Sequence, residues 1–212
     1  MIVVVDLDDV LFRTKEFKVP FFALLAEQSG LDSDSVMKSY REVQEKRGFY
    51  DVDLHLQLLS KLGGRATDTE LVSAIGEFLR ENAQAFSFAD SVDFLKEFRA
   101  RQWFPYVLTR GTEWFQRCKI YSVGIHHFLS GIQVIPGEDK VPAFHGLMGR
   151  GKSGPFVFLD DSPRAIWHVR GAFSEMPIIQ VRRYEDSPPT CAEASASAAN
   201  LADALQLIDG FR

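Results

Sequence analysis

Three aspartates directly follow the first apolar run of the chain. Residues Ile2 to Val5 are all β-branched, which is typical of a strand buried on both faces in a parallel sheet. Because side chains alternate along a strand, Asp6 and Asp8 fall on one side, at the carboxyl end where open α/β sheets bind ligands. Two such carboxylates do not both stay ionised unless a cation lies there or one takes a proton. The spacing predicts a metal and phosphate site; the alternative is a solvated strand end with an Asp-rich turn at Asp9.

Further oxygen-bearing side chains follow two other apolar runs. Thr109 comes after the second run, and Asp160 with Asp161 comes after the fourth. These are hard oxygen ligands, and Mg²⁺ favours octahedral oxygen coordination by one or two protein carboxylates, water and substrate phosphate. A lysine at the same edge would neutralise part of a phosphate's charge. Lys140 and Lys152 are the candidates, and the sequence context favours Lys140.

The residues that could do chemistry lie at the ends of strands that alternate with helices. This alternation predicts an α/β fold with a doubly wound, mainly parallel sheet of five strands. The predicted strands are residues 2–5, 104–108, 132–135, 156–159 and 178–181. The segment Ser187 to Asn200 is rich in Ser, Ala and Pro, so we expect a surface loop there before a last amphipathic helix.

A block of helical periodicity separates the first predicted strand from the second. A crossover between parallel strands is usually a single helix. We therefore interpret residues 15–87 as an all-helical cap domain inserted after the first strand, and residues 1–14 and 88–212 as the core domain. Pro20 is expected at the first position of the first cap helix. Thr67 and Glu70 have the spacing of a capping box for the fourth.

The composition excludes several classes of protein. The chain has 212 residues, of which 46% are hydrophobic and 25% charged, enough apolar residues for a proper core. Its formal net charge of -5 argues against binding of a nucleic acid polymer, which depends on clustered Lys and Arg. No apolar run approaches the roughly 18 residues of a membrane span, and the two cysteines lie in no CxxC pattern. We expect a cytoplasmic protein that binds no membrane; the sequence leaves its oligomeric state open.

In order along the chain, these residues resemble the four motifs of the haloacid dehalogenase (HAD) superfamily of phosphohydrolases. The first motif, Asp-x-Asp-x-(Thr/Val) after a buried strand, is matched by Asp6-Leu7-Asp8-Asp9-Val10. Thr109 matches the hydroxyl residue that ends the next core strand, and Lys140 matches the lysine of the third motif. Asp160-Asp161 matches the acidic pair of the fourth motif. The resemblance covers nearly the whole chain and implies a Rossmann-like core with a helical C1 cap.

The resemblance implies roles for the first-motif aspartates. Asp6 is expected to attack phosphorus and form an aspartyl-phosphate, a route that divides one difficult displacement into two easier ones. Asp8 is expected to act as general acid and then as general base. Members of the family that cleave carbon–halogen bonds lack an acid at this position, so dehalogenation is disfavoured. Asp9 stands where many members have Gly and Val10 where Thr is commoner, and we expect a turn role for Asp9.

The other matched residues are expected to hold the metal and the phosphoryl group. The resemblance implies Mg²⁺ bound by the nucleophile, the Asp8 carbonyl and Asp161, with Asp160 as a further ligand or just outside the coordination sphere. Thr109 and the Arg110 amide are expected to bind phosphate oxygens, although Arg110 stands where an Asn is frequent. Lys140 is expected to pair with the nucleophile and the transferring group. The implied function is Mg²⁺-dependent hydrolysis of a small phosphorylated metabolite.

Three other functions fit parts of the pattern. The segment from Gly146 to Ser153 has the spacing of a P-loop of nucleotide triphosphatases, but a helical piece precedes it and a strand follows, the reverse of a P-loop. A non-catalytic phospho-receiver module also uses an acidic cluster, a Thr and a Lys, but its acceptor would lie well after the first strand. A phosphomutase or phosphotransferase shares every matched residue and differs in the acceptor, so the sequence leaves it open.

Two further groups of residues have side chains that could bind a metal or a substrate. Three histidines show no obvious metal-ligand pattern, and we expect structural roles for them: His126, His127 and His145. Four cap residues could reach the leaving group of a substrate: Arg41, Lys46, Arg47 and Tyr50. A solvated helix face is the simpler interpretation of this second group.

Overall fold

The core of the molecule is a parallel β-sheet. The computed structural model describes residues 1–63, 66–149 and 154–211. Within these residues the sheet has six strands: β1 (Ile2–Val5), β2 (Phe104–Arg110), β3 (Gly131–Ile135), β4 (Phe156–Asp160), β5 (Ile178–Val181) and β6 (Ala196–Ala198). Their order is β3-β2-β1-β4-β5-β6, and all neighbours pair in parallel. The predicted doubly wound α/β fold is confirmed.

Strand β1 lies at the centre of the sheet, between β2 and β4. The chain runs outward through β2 and β3 and then returns across the sheet to β4, so the direction of winding reverses beside β1. A crevice forms at such a reversal, outside the carboxyl ends of the strands, and it is the usual ligand site of open α/β sheets. The carboxyl ends of β1, β2 and β4 therefore meet at the expected site.

Four helices and a 3₁₀ turn follow β1 in the described chain, ahead of the core helix that precedes β2, and form the helical cap. They are α1 (Thr14–Ser29), α2 (Ser33–Arg47), α3 (Val52–Lys61), α4 (Asp68–Asn82) and the 3₁₀ turn Ala83–Phe86. The capping box is present as predicted, because the Thr67 hydroxyl accepts from the Glu70 amide and the Glu70 carboxylate accepts from the Thr67 amide. The division at residues 14/15 and 87/88 into core and cap stays a prediction.

The predicted start of the first cap helix was wrong. Helix α1 begins at Thr14, and Pro20 lies inside it. Proline has no amide hydrogen to donate, which disfavours it in a helix interior. Here Phe17, Phe21 and Leu25 are buried at i, i+4 and i+8 spacing on one face of the helix. The helix loses one backbone hydrogen bond at the proline. Burial of this apolar face stabilises the helix by a larger free energy, so the proline is accommodated.

Helices cover both faces of the sheet. The core helices are α5 (Ser91–Ala100), α6 (Glu113–Val123), α7 (Val141–Gly149), α8 (Pro163–Ala172) and α9 (Leu201–Gly210). Val3 and Val5 of β1 belong to the apolar cluster that includes α5, α6 and α9, whereas Ile2 and Val4 belong to the one formed with α7 and α8. The cap residues of α1 to α4 continue the first of these clusters. In the described parts of the chain, no helix has both the length and the apolar character to cross a membrane.

A sixth strand replaces part of a predicted loop. The segment from Ser187 to Asn200 was expected to be a surface loop, but Ala196–Ala198 forms β6, which pairs in parallel with β5 at the edge of the sheet. The prediction of five strands was therefore one too few. Alanine and serine carry little strand preference, and three residues are too few for a pattern of alternation, so neither signal marks this strand.

A buried histidine joins the cap helices to the loop that precedes α3. Nε2 of His55 lies 3.2 Å from the Val36 carbonyl and 2.8 Å from the Ser39 hydroxyl. Because a carbonyl only accepts, Nε2 is assigned the proton, and Nδ1 accepts from the Tyr50 hydroxyl at 2.8 Å. Burial lowers the pKa of His55 to about 4, against the opposing effect of the Val36 bond. The ring is therefore neutral at neutral pH.

Acid is expected to destabilise the protein through His55. The ring takes a proton near pH 6.5 in the unfolded chain and near 4 in the folded one, so stability present above pH 6.5 is lost as the pH falls. Between pH 7.5 and 5, the free energy of unfolding should fall by about 2 kcal/mol more in the wild type than in His55→Gln. Urea denaturation followed by circular dichroism measures both; the same pH dependence in the two proteins would contradict the assignment.

Candidate active site

One buried lysine joins two of the predicted site carboxylates. The Lys140 ammonium donates to Asp6 Oδ1 and to Asp160 Oδ2, both at 2.6 Å, and all three side chains are buried. Asp6 follows β1 and Asp160 ends β4, and the Asp6 amide donates to the Leu159 carbonyl at 2.9 Å. The pairing of β1 with β4 thus fixes the separation of the two carboxylates. Burial alone would lower the pKa of Lys140, but Asp160 and Asp6 outweigh it and raise the pKa.

A third carboxylate completes an acidic cluster. Oxygens of Asp6, Asp160 and Asp161 lie within 4.8 Å of one another. Burial raises the pKa of Asp6 to about 7, with help from the charges of Asp160 and Asp8 and against the pull of Lys140. Burial and the neighbouring charges of Asp160 and Asp6 also raise the pKa of Asp161 well above its usual range. One ammonium does not balance three carboxylates, so the donor set fits a hard divalent cation such as Mg²⁺.

The Asp8 carboxylate has a separate partner on helix α6. Its Oδ1 accepts from the ammonium of Lys119 and the hydroxyl of Thr14, and its Oδ2 accepts from Gln116 Nε2 at 2.6 Å. Burial would raise the pKa of Asp8, but the Lys119 charge and these hydrogen bonds outweigh it and hold the pKa below its usual value. Asp8 is therefore ionised, and both of its oxygens are held in place.

Gln116 also positions the end of β2. Its Nε2 lies 3.1 Å from Thr109 Oγ1 and donates to the Arg110 carbonyl at 2.6 Å. Thr109 is fully buried at this strand end. The Arg110 guanidinium turns elsewhere, donating to Glu138 Oε1 at 2.6 Å and approaching the Gly48 carbonyl of the cap at 3.5 Å. The predicted contact of the Arg110 amide with phosphate stays a prediction.

Asp9 occupies a turn, as its place in the first motif suggests. Its φ of 56° lies in the left-handed region, which glycine adopts at least cost and which aspartate tolerates better than most residues. Its carboxylate accepts from the Lys15 amide at 3.1 Å, in the first turn of α1. The side chain therefore links the loop that follows β1 to the start of the cap.

The predicted site residues line one cavity between the sheet edge and the cap. The cavity has a volume of about 340 Å³. The residues proposed for catalysis and for metal and phosphate binding all line it: Asp6, Asp8, Thr109, Arg110, Lys140, Asp160 and Asp161. Other lining residues come from the cap and from α6: Phe17, Lys18, Phe21, Gln44, Tyr50 and Phe115. The structure thus brings the four motifs together beneath the cap.

Several alternatives from the sequence are placed elsewhere. Of the four cap candidates, Tyr50 lines the cavity, whereas the others are absent from its lining and exposed: Arg41, Lys46 and Arg47. Within the described residues, no histidine belongs to a metal-binding cluster. Residues 150–153 of the P-loop-like segment, including Lys152, lie outside the described residues. The first four residues of the segment belong to the end of α7, and β4 follows the segment, which is the reverse of the P-loop arrangement.

Two functional residues on α6 were missed by sequence reasoning. Lys119 and Gln116 are almost completely buried, although both are polar. They share a helix face with Phe115, Ile120 and Val123, which are also buried. Two polar residues at i and i+3 within an apolar helix face were the available signal, because buried polar groups need partners. Their partners, the residues at the strand ends, are far away in sequence.

Solved structures with a similar fold are HAD-like proteins. A protein described as a haloacid dehalogenase-like hydrolase from Burkholderia xenovorans matches with a TM-score of 0.78 at 18% identity, over 95% of each chain. The HAD hydrolase YfnB from Bacillus subtilis, bound to magnesium, matches with a TM-score of 0.69 at 16% identity, over 98% of each chain. A 2-haloacid dehalogenase from Pseudomonas syringae gives 0.73 at 15% identity, over 100% of this chain and 99% of that one.

The comparison of structures establishes the fold. No protein-family model matches the sequence, and no curated protein matches it either. Identities below 20% with nearly complete coverage of both chains show a shared architecture. The chain has the HAD-like fold, a Rossmann-like α/β core with a helical cap, as the sequence predicted.

Magnesium is expected to raise the melting temperature through Asp161. Replacing Asp161 by Asn removes one of the three clustered carboxylates while keeping the shape of the side chain. We expect the Mg²⁺ affinity, measured from the rise in melting temperature with Mg²⁺ concentration, to fall about tenfold or more. Asp186→Asn, which removes an exposed carboxylate paired with Lys15, is the control. The same Mg²⁺ response in both variants would rule out the cluster as the metal site.

Proposed function

We propose that this protein hydrolyses a small phosphomonoester in a Mg²⁺-dependent reaction that passes through an aspartyl-phosphate. The observation that carries the proposal is the cluster of Asp6, Asp160 and Asp161 around the Lys140 ammonium. Phosphoryl transfer needs concentrated positive charge beside the nucleophile, and this cluster provides a lysine and ligands for a metal. When bound there, Mg²⁺ would neutralise the carboxylates and the charge of the phosphoryl oxygens.

In the first step, Asp6 attacks phosphorus and the bond to the leaving oxygen breaks. The Lys140 ammonium donates to Asp6 Oδ1 at 2.6 Å and holds this carboxylate at the carboxyl end of β1. The Thr109 hydroxyl lies 3.1 Å from Gln116 Nε2, and its hydrogen can be donated to a phosphoryl oxygen. These groups position the phosphoryl group for in-line attack and stabilise its charge, which are the main sources of catalysis in this chemistry.

Asp8 moves the protons of both steps. Because Asp8 is ionised in the free protein, the first proton enters with the monoanion of the phosphate ester; Asp8 takes that proton and gives it to the leaving oxygen as the bond to phosphorus breaks. As a carboxylate again, Asp8 then takes a proton from the water that attacks the aspartyl-phosphate, releasing phosphate and free Asp6. Lys119 and Gln116 hold the ionised form, which suits the second step. Because both Asp8 oxygens have fixed partners, its orientation is set before the substrate binds.

Haloacid hydrolysis is the activity named for several of the structural neighbours, and it requires fewer acidic groups than this site contains. Displacement of halide from carbon requires a carboxylate nucleophile. It requires no general acid, because a halide leaves as an anion without taking up a proton. Asp160 and Asp161 would be unfavourable beside an anionic haloacid, and Asp8 would have no proton to transfer. These three carboxylates favour phosphate esters over haloacids. A phosphomutase would use the same residues. It differs from a phosphatase in the acceptor of the phosphoryl group, which is a second substrate hydroxyl rather than water.

Asp6→Asn is expected to abolish phosphate release. An amide is a far weaker nucleophile than a carboxylate, so kcat for p-nitrophenyl phosphate with Mg²⁺ should fall by about 10³-fold or more. The substitution leaves a side chain of the same size, so the circular dichroism spectrum should match that of the wild type. Turnover at the wild-type rate in a folded Asp6→Asn variant would exclude Asp6 as the nucleophile.

The wild type is expected to release phosphate and no halide. Ion chromatography after incubation with 2-chloropropionate should find no more chloride than the Asp6→Asn control produces. With a panel of phosphorylated metabolites, hydrolysis yields inorganic phosphate, whereas a mutase yields an isomeric phosphate ester. Chloride release that depends on Asp6 would overturn the assignment to phosphate esters.

A further inference from the structure

Aromatic rings form one wall of the cavity beyond the carboxylates. Phe17 and Phe21 on α1 stack with centroids 5.1 Å apart and 22° between their planes. Phe115 on α6 lies 5.3 Å from Phe21. The Tyr50 ring is 6.2 Å from both Phe21 and Phe115, at 81° to each. These four residues, which we call the aromatic wall, all line the cavity and come from both the cap and the core.

The aromatic wall offers a ligand no hydrogen-bond donor. Tyr50 has its single polar group on the ring, and that hydroxyl donates to Nδ1 of His55 inside the cap. The Val36 carbonyl fixes the proton on the other nitrogen of His55, so Nδ1 must accept. A leaving group against this wall therefore gains by burying apolar surface. Sugar hydroxyls placed there would lose hydrogen bonds to water without replacement.

One basic side chain of the cavity has no carboxylate partner in the described structure. Lys140, Lys119 and Arg110 each contact a carboxylate at ion-pair distance. Lys18 also lines the cavity, but among the described residues it forms no ion pair at contact distance; its charge acts on Asp9, whose pKa it lowers against the larger effect of burial, and its Nζ lies 5.8 Å from the centroid of the Tyr40 ring. Lys18 is half-buried, so a charge that it met there would be screened less than one at the surface.

We propose that the substrate is an aryl phosphomonoester whose ring carries a carboxylate. The inference rests on the proposed function, which places the phosphoryl group at Asp6. The leaving group then lies against the aromatic wall, where an aromatic ring meets an apolar lining, and its carboxylate pairs with Lys18. The apolar wall and the unpaired ammonium are separate observations, and a carboxylated aromatic ring satisfies both.

A matched pair of substrates tests this assignment. Phenyl phosphate and 3-carboxyphenyl phosphate have similar leaving groups and differ in the charge that Lys18 would meet. We expect the wild type to show a kcat/KM about tenfold or more higher for the carboxylated ester. Lys18→Met should remove this preference, so that the ratio of kcat/KM for the carboxylated ester to kcat/KM for phenyl phosphate falls to about one.

Lys15→Met is the matched control, because Lys15 lies on the same helix, is exposed and pairs with Asp186. It should retain the full preference of the wild type for the carboxylated ester. An equal loss for both substrates in Lys18→Met would mean that Lys18 serves the phosphate rather than a carboxylate. That result, or the absence of a preference in the wild type, would overturn the inference.

The two proposals fail in different ways. Hydrolysis of phenyl phosphate that depends on Asp6, without preference for the carboxylated ester, would contradict the substrate class and leave the proposed function intact. Absence of phosphate release from both esters would contradict the proposed function itself. Binding of 3-hydroxybenzoate, measured by calorimetry in wild type and Lys18→Met, supplies a readout that needs no turnover. Equal affinity in the two proteins would also count against the assignment.

Discussion

Charge balance at the centre of the sheet is the constraint on which the site depends. Asp6 and Asp160 come from adjacent parallel strands and are held together in an interior that contains little water. The Lys140 ammonium between them makes this arrangement tolerable. Removal of one member of a buried ion pair typically costs about 3 to 5 kcal/mol, because the remaining charge has no partner. The pairing of β1 with β4, the position of Lys140 and the cluster of three carboxylates therefore depend on one another electrostatically.

The two aspartates of the first motif receive their countercharges from opposite faces of the sheet. Lys140 directly precedes α7, and its ammonium lies 5.5 Å from the ring centroid of Phe158 in the apolar cluster on that side. Lys119 belongs to α6 on the other face. Asp6 and Asp8 thus do not compete for one cation, although they are separated by a single residue. Their pKa values shift in opposite directions because burial and the charge of Asp160, which shares Lys140, raise the pKa of Asp6, whereas Lys119 and hydrogen bonds outweigh burial at Asp8.

The sequence was sufficient for the motif residues but not for the residues that hold them. A β-branched run followed by aspartates defines both a buried strand and its ligand end, so Asp6 and Asp160 could be placed before the structure was known. Lys119 was missed because α6 looks like an amphipathic helix until the position of Asp8 is known. The predictions for Pro20 and for the segment that contains the edge strand β6 were wrong. In both places, packing and strand pairing outweighed the local preference of the residues.

The contact between cap and core includes an indole ring. Trp114 on α6 donates from Nε1 to Asp53 of α3 at 2.8 Å, close to a second bond from the Val52 amide to Thr112. Indole emission responds to hydration and hydrogen bonding at this nitrogen. Movement of α3 away from α6 would break the bond and change the emission. In a variant whose other two tryptophans, Trp103 and Trp167, are replaced by Phe, Trp114 would be an intrinsic optical reporter of any displacement at this contact, without an attached dye.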